Sequence, residues 1–338
     1  VQGTGRKRLT IRDVATVAGV SSGTVSRVLN GKNWVSPEAR TAVEQAIRKT
    51  GYRVNPHARN LATSKSNTVA FLLNESQHVL FEDPNFAHLV RGTARALAAL
   101  EVHSVLIMAG DAAEQARAFA YISAGHVDGV LLAFTSAGGT PLVERLVDAG
   151  VPLVSCGLPV GDFEGRLGSV AADDLLGATQ VMEHLLERGH RRIATITGPA
   201  DTPGGIARFE AYSRAVGDRF DERLVVGGDY SRAGGAHATH ALLERTREFD
   251  AIFAANDAMA AGAIDALLEA GLRVPDDVAV AGFDDNDFAT ATDPQLTTVR
   301  QPFERISIEM VRLLMDIIGG EQPATLTLPT TLVVRGSA

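Results

Sequence analysis

The sequence predicts a small all-α head joined to a two-lobed α/β body, and three observations carry that expectation. Apolar residues recur at helical spacing, between capping and glycine signals, from Leu9 to Gly51. From Thr68 short apolar runs alternate with helical stretches, and the alternation restarts after residue 170. Charge divides at the same place: residues 1–66 hold 12 Lys+Arg against 3 Asp+Glu, and the remainder holds 20 against 37. The net charge of −8 thus conceals a basic head on an acidic body, the footprint of a nucleic-acid-binding module carried by a domain with another task.

Within the head, Leu9 to Asn30 reads as a helix–turn–helix. Thr10 is a good N-cap, and Asp13 suits the positive end of the helix dipole. Ile11, Val14, Ala15 and Val17 are expected to face the core. Gly19 ends this helix with a left-handed turn, Val20 returns to the core, and Ser21 caps a second helix with Thr24 three residues on. Val25, Val28 and Leu29 then point inward, which leaves Ser22, Gly23, Ser26 and Arg27 on the outer face. Small polar residues at the start of an outward helix, followed by one arginine, suit the DNA major groove. Ser36, Pro37 and Glu38 start a third helix that runs to about Thr50, buries Ala39, Val43, Ala46 and Ile47, and stops at Gly51.

Asn55 and Pro56 open a short helix through Ala62, and Ser64 to Asn67 reads as linker. Such a helix is shorter than the ~12–15 residues needed for marginal stability alone, so it is expected to form only on a partner. Leu61, apolar on a basic helix beside a DNA-binding head, has the character of a minor-groove wedge.

In the body, strands are expected at 68–73, 102–108, 127–133, 151–156, 192–197, 251–255 and 278–282. Helices are expected at 86–100, 112–123, 141–149, 175–188, 206–220 and 258–270. Buried strands alternating with helices indicate parallel sheets covered on both faces, with ligands at the carboxyl ends of the strands and between the lobes. The expected division is a DNA-binding domain over 1–54, a hinge over 55–66 and a two-lobed domain over 67–338.

Composition narrows the function classes. The single Cys156, in the run VPLVSC, reads as a buried strand residue and gives no disulfide framework or cysteine metal site. Asp284-Asp285-Asn286-Asp287 looks superficially like a calcium loop but lacks its glycine and terminal glutamate, so no metal and no cofactor are expected. Without a phosphate-binding glycine loop, a nucleophile elbow or a Cys/His pairing, an enzyme is not expected. A transporter's solute-binding protein would share the two-lobed body, but the basic head and the lack of an apolar signal segment speak against it and for a cytoplasmic DNA-binding protein.

The residues resemble the LacI/GalR family of transcription regulators. The resemblance rests on DVATVAGVSSGTVSRVLNG, VSPEAR and NPHARNLAT in the head. In the body it rests on LLERGHRRIATITGP, FAANDAMAAGAIDALLEAGLRVPDDVAVAGFDD and LTTVRQPF. It implies an N-terminal helix–turn–helix headpiece with a hinge helix, followed by a periplasmic-binding-protein-like effector and dimerisation domain over 67–338, in which lobe 1 takes about 67–171 and 301–325 and lobe 2 about 172–300 and 326–338. It also implies a DNA-contacting set of Thr10, Ser21, Ser22, Gly23, Thr24, Ser26, Arg27 and Asn30 in the head. Asn55, His57, Ala58, Arg59 and Leu61 continue that set in the hinge. By this resemblance Arg27 reads guanine, a contact worth ~1–3 kcal/mol of discrimination, and paired Leu61 side chains open a central CpG step of a palindromic operator.

The implied effector contacts are Asn85, Phe86, Asp173, Arg208, Tyr230, Asn256, Asp284 and Gln301. Vicinal sugar hydroxyls suit Arg208, Asn256 and Asp284, and a sugar's apolar face suits Phe86 or Tyr230. Asn256 and Asp284 singly also read as helix or loop caps, and Asp173-Asp174 either add a pocket carboxylate or cap the helix from Leu175. Gly157 stands where sugar-binding members often carry a polar side chain, and Ala133 is apolar on the facing strand, which implies either a less polar hold on the ligand or a larger pocket. The expected protein is a homodimeric repressor controlled by a sugar, with a nucleobase or nucleoside as the alternative. The ending LPTTLVVRGSA, without heptads, is expected to give a dimer and no tetramer.

Overall fold

The computed structural model describes residues 9–29, 35–52, 66–74, 83–133 and 140–338. These fall into two units that divide after Ser66. No described helix is long and apolar enough to cross a membrane.

The head unit holds α1 (Ile11–Ala18), α2 (Ser22–Leu29) and α3 (Pro37–Thr50) around a core of Val14, Ala15, Val25, Val43, Ala46 and Tyr52. Gly19 and Gly51 take φ of 66°, which closes α1 and α3. At the start of α1, Asp13 Oδ2 accepts from both the Thr10 N–H at 2.7 Å and its hydroxyl at 2.8 Å, so the cap works through the aspartate. Val17 corrects the expected core, being 47% exposed. The inward stripe is Ile11, Val14, Ala15 and Ala18, and Val17 falls on the opposite side of so short a helix. Tyr52, beyond the third helix, completes the core instead.

In the body, β1 (Thr68–Leu73), β2 (His103–Met108), β3 (Gly129–Ala133), β4 (Leu153–Cys156), β5 (Gly168–Ala172) and β11 (Thr325–Leu328) form one parallel sheet, ordered β11-β5-β4-β3-β1-β2. Leu89 and Leu97 of α4 (Pro84–Ala99) cover one face, together with Met310 and Leu314 of α12 (Phe303–Ile318). On the other face lie Ala118 of α5 (Ala112–Tyr121) and Leu142 and Leu146 of α6 (Thr140–Asp148). The second sheet, also parallel, is ordered β7 (Val225–Gly227), β6 (Ile193–Thr197), β8 (Ala251–Ala254) and β9 (Ala279–Ala281). It is sandwiched between α7 (Asp174–Glu187) with α8 (Pro203–Val216) and α9 (Arg232–Arg245) with α10 (Asp257–Glu269). A short helix, α11 (Asp287–Ala291), follows β9. An antiparallel pair, β10 (Thr298–Arg300) with β12 (Thr331–Val333), lies where the chain passes between the sheets.

Several expected bounds move for local reasons. The helix expected from Ile206 starts at Pro203 under a Thr202 cap and stops at Val216, before Gly217. The helix expected to Ser123 ends at Tyr121 and widens into a single π turn containing Gly125 at φ 76°. Strand β11 lies wholly in the first sheet, so the return to lobe 2 falls after Leu328 instead of at 326. Helix α9 lacks an apolar rhythm because it packs through small residues: a Cβ on Gly235 would lie 2.3 Å from the Met259 carbonyl oxygen, and one on Gly262 2.0 Å from that of Arg232.

Candidate effector cleft and DNA-reading helix

In the head, Thr10, Ser21, Ser22, Gly23 and Arg27 are exposed, and Thr24 and Ser26 are half-buried. Ser21 Oγ accepts from the Thr24 N–H at 3.1 Å, so its hydroxyl is tied to the start of α2. The missing Cβ of Gly23 would lie 3.9 Å from Arg27 Nη2, which shows the guanidinium lying back along the glycine. Asn30, Asn55, His57, Ala58, Arg59 and Leu61, and with them the hinge helix, lie outside the described residues.

The body holds a cavity of about 480 Å³ at the carboxyl ends of its strands, where parallel α/β sheets bind ligands. Asn85, Phe86, Asp173, Arg208, Tyr230, Asn256, Asp284 and Gln301 all line it. Five helices begin there, capped by Asp83, Asp173, Thr202, Ser231 and Asn256. Each cap side chain accepts from an N–H of its own helix. Asp173 therefore acts as a cap, accepting from Leu176 N–H at 2.9 Å. Asn256 does so for α10 and also donates to the Tyr230 carbonyl at 2.9 Å. Tyr230 sits at φ 68° with its hydroxyl 3.0 Å from Thr202 Oγ1.

Asp284 is the junction between the two sheets. Asn85 Nδ2 reaches it from α4 at 2.8 Å, and Gln301 Nε2 from the crossing segment at 2.6 Å. Arg208 Nη1 lies 3.7 Å away. The residue is not a loop cap, and its φ of 118° is a strained backbone angle for a non-glycine residue. That angle is held by its own N–H bonded to Val299 and by three side-chain partners. The following acids are also committed: Asp285 pairs with Arg300 and Arg335, and Asn286 caps α11. Among the described residues no His, Cys, Asp and Glu group has the arrangement to hold a metal ion.

Sequence reasoning took Asp173-Asp174 together as an added pocket carboxylate or a helix cap, and the structure divides those roles between them; Phe283, Asp83 and Asp257 were left unassigned. Asp174 accepts from Arg208 Nε at 2.9 Å and Nη2 at 2.7 Å, and Phe283 carries the guanidinium on its ring face at 3.8 Å. Asp83, before Pro84, caps α4 and faces the cavity. Asp257, fully buried, accepts from Thr298 Oγ1 at 2.5 Å and from Asn286 N–H at 3.0 Å, and so holds the loop that carries Asp284. Asp83-Pro84 was readable as a helix start, but nothing local marks Phe283 or Asp257.

Burial, then the neighbouring Asp284, push Asp83 up to about 7, against the Asn85 N–H and Arg208. Burial also raises Asp284, offset by Arg208, Asn85 and Gln301. Burial and Asp284 together hold Asp257 well above the carboxylate range. For Arg208 burial opposes the charge, yet Asp174 and then Asp284 keep it above an ordinary arginine. Among the described residues Arg208 is the one basic side chain beside these clustered acids, in a cavity with an apolar wall that includes Phe86, Leu175 and Ile306.

The family described as bacterial regulatory proteins, lacI family, matches residues 10–55, and the periplasmic binding protein-like domain matches 182–338. The HTH-type transcriptional regulator CelR of Thermobifida fusca is 43% identical over 337 residues, covering 98% of this chain and 99% of that protein. Among solved structures, a CelR–cellobiose complex aligns with a TM-score of 0.77 at 41% identity, covering 98% of this chain and 100% of that one. The Lac repressor dimer bound to operator and the anti-inducer ONPF aligns with a TM-score of 0.81 at 26% identity, covering 98% and 99%.

Proposed function

The chain belongs to the lacI family of bacterial regulatory proteins and is a DNA-binding transcriptional regulator; we propose that it is a cytoplasmic, dimeric repressor whose effector is a sugar held between the two sheets of the body. The observation that carries this reading is Asp284, a buried carboxylate that joins Asn85 of one lobe to Arg208 of the other across a cavity. A ligand that inserts hydroxyls among these groups replaces contacts between the lobes with contacts to itself. It thereby sets how the lobes meet.

Cellobiose is the first ligand to try. A 480 Å³ cavity falls in the range of small-molecule sites and has room for a disaccharide. Phe86 and Tyr230 supply flat apolar surface for sugar rings, and the relative at 41% identity was solved with cellobiose. Regulation then runs through Thr68, where the hinge joins the first strand. A shift between the lobes moves two such strand starts in the dimer, so the hinge helices either meet in the minor groove at a central CpG of a palindromic operator or stay apart. An exposed sheet edge at β2, with Leu106 51% exposed, favours first-lobe contacts in that dimer.

The test is titration calorimetry of the full chain with cellobiose, ribose and cytidine, followed by operator binding by fluorescence anisotropy. Cellobiose is expected to bind and to change operator affinity by about 5–150-fold, the range of a typical coupling energy. Cytidine binding alone would favour the nucleoside reading. Silence from all three would overturn the cleft reading.

A further inference from the structure

Among the described residues, the cavity is lined by six aspartates, Asp83, Asp173, Asp174, Asp201, Asp229 and Asp284, and a single arginine, Arg208. Residues 67–338 contain no lysine, and segments 75–82 and 134–139 contain neither Lys nor Arg. The arginine is already engaged. Two of its nitrogens donate to Asp174, and Nη1 donates to the Ala255 carbonyl at 2.5 Å with Asp284 beyond it. Its flat face is covered by Phe283. An incoming anion finds no cation that a carboxylate has not neutralised.

Helix N-termini ordinarily make up such a deficit, because their free N–H groups and dipoles attract phosphate. Here, among the described residues, five helices start at the cavity, and the cap side chain of each already takes one of its first N–H groups, in two cases with a carboxylate. Asp83 and Asp173 occupy positions where a bound phosphate would gain most. What the wall offers instead is acceptor oxygen, which suits the O–H groups of an uncharged polyol.

We infer that this cavity selects unphosphorylated, non-acidic sugars and excludes their phosphate esters, so that the regulator reads its sugar ahead of any phosphorylation. The inference rests on the proposed sugar role of the cavity, and its test separates the two.

Titration calorimetry of the full chain compares cellobiose with cellobiose 6-phosphate at low and physiological salt. The ester is expected to bind at least tenfold more weakly, about 1.4 kcal/mol, with a wider gap at low salt, where like charges repel further. A smaller gap, or tighter binding of the ester, overturns the inference. In a second arm, inorganic phosphate is added to wild type and to Asp201→Lys, a substitution at an exposed lining position. Phosphate is expected to raise the melting temperature of the variant more than that of wild type, because the variant carries the cavity's first uncommitted cation. Equal shifts overturn the exclusion. If cellobiose and its ester are both silent while this second arm behaves as expected, the cellobiose reading falls and the exclusion stands.

Discussion

Replacing Asp83 with Asn tests whether the cleft acids carry the energetics assigned to them. Asn keeps an oxygen to accept from the Asn85 N–H, now 2.9 Å from Asp83 Oδ1, but removes the ionisable group. In the folded protein Asp83 is raised from 3.8 to about 7, by burial first and by Asp284 second. The folded state therefore holds the proton more tightly than the unfolded chain does. The associated stability is complete below about pH 4 and drains away as the pH rises to about 7. A rise of this size corresponds to roughly 4 kcal/mol at about 1.4 kcal/mol per pKa unit. Solvent contact at this half-buried side chain screens it to about 2 kcal/mol. Asp83→Asn should thus match wild type near pH 4 and exceed it at pH 8. For a domain of this size, at about 2–4 °C per kcal/mol, the gain at pH 8 is about 4–8 °C. Differential scanning calorimetry of the full chain, following the body transition from pH 4 to 8, measures it. A variant whose melting temperature tracks wild type in parallel across that range, or falls below it at pH 8, would refute the reasoning.

Three other substitutions probe the rest of the protein. Asp284→Ala removes the acceptor shared by Asn85 and Gln301 and is expected to abolish the effector response; a normal response in anisotropy removes Asp284 from the site. Arg27→Ala should lose about 1–3 kcal/mol of discrimination at one base pair, read as a relaxed preference in a panel of operator variants, whereas a uniform loss over all sequences would make Arg27 a phosphate contact. Leu61→Ala, argued from sequence alone, should weaken specific binding by a few kcal/mol per opened base step and spare random duplex, which is held through phosphates. Equal losses on both DNAs would reduce Leu61 to a linker residue.

The sequence by itself determined where the helices of the head start and stop, though not that Tyr52 and not Val17 completes its core. Its helices are bounded by Gly19, Ser36 and Gly51, whose effects act within one turn of chain, and the structure has its helix ends at those residues. Much of the alternation of strands and helices in the body was legible too, since a strand buried on both faces shows as an unbroken apolar run. Strands β5 and β7 and helices α9 and α12 were not among the expected elements; α9 escapes because contact through Gly235 and Gly262 leaves no apolar rhythm to read. Periodicity reports which side of an element is buried and is silent about what lies opposite. Asn85 and Asp284 stand 199 residues apart in the chain, and only the packing of two sheets brings their side chains to 2.8 Å. The pairing of Arg208 with Asp174, the convergence of five capped helix ends and the raised proton affinity of Asp83 are likewise decisions of the tertiary structure. They depend on desolvation and on charges from distant segments, neither of which a local stretch of sequence contains.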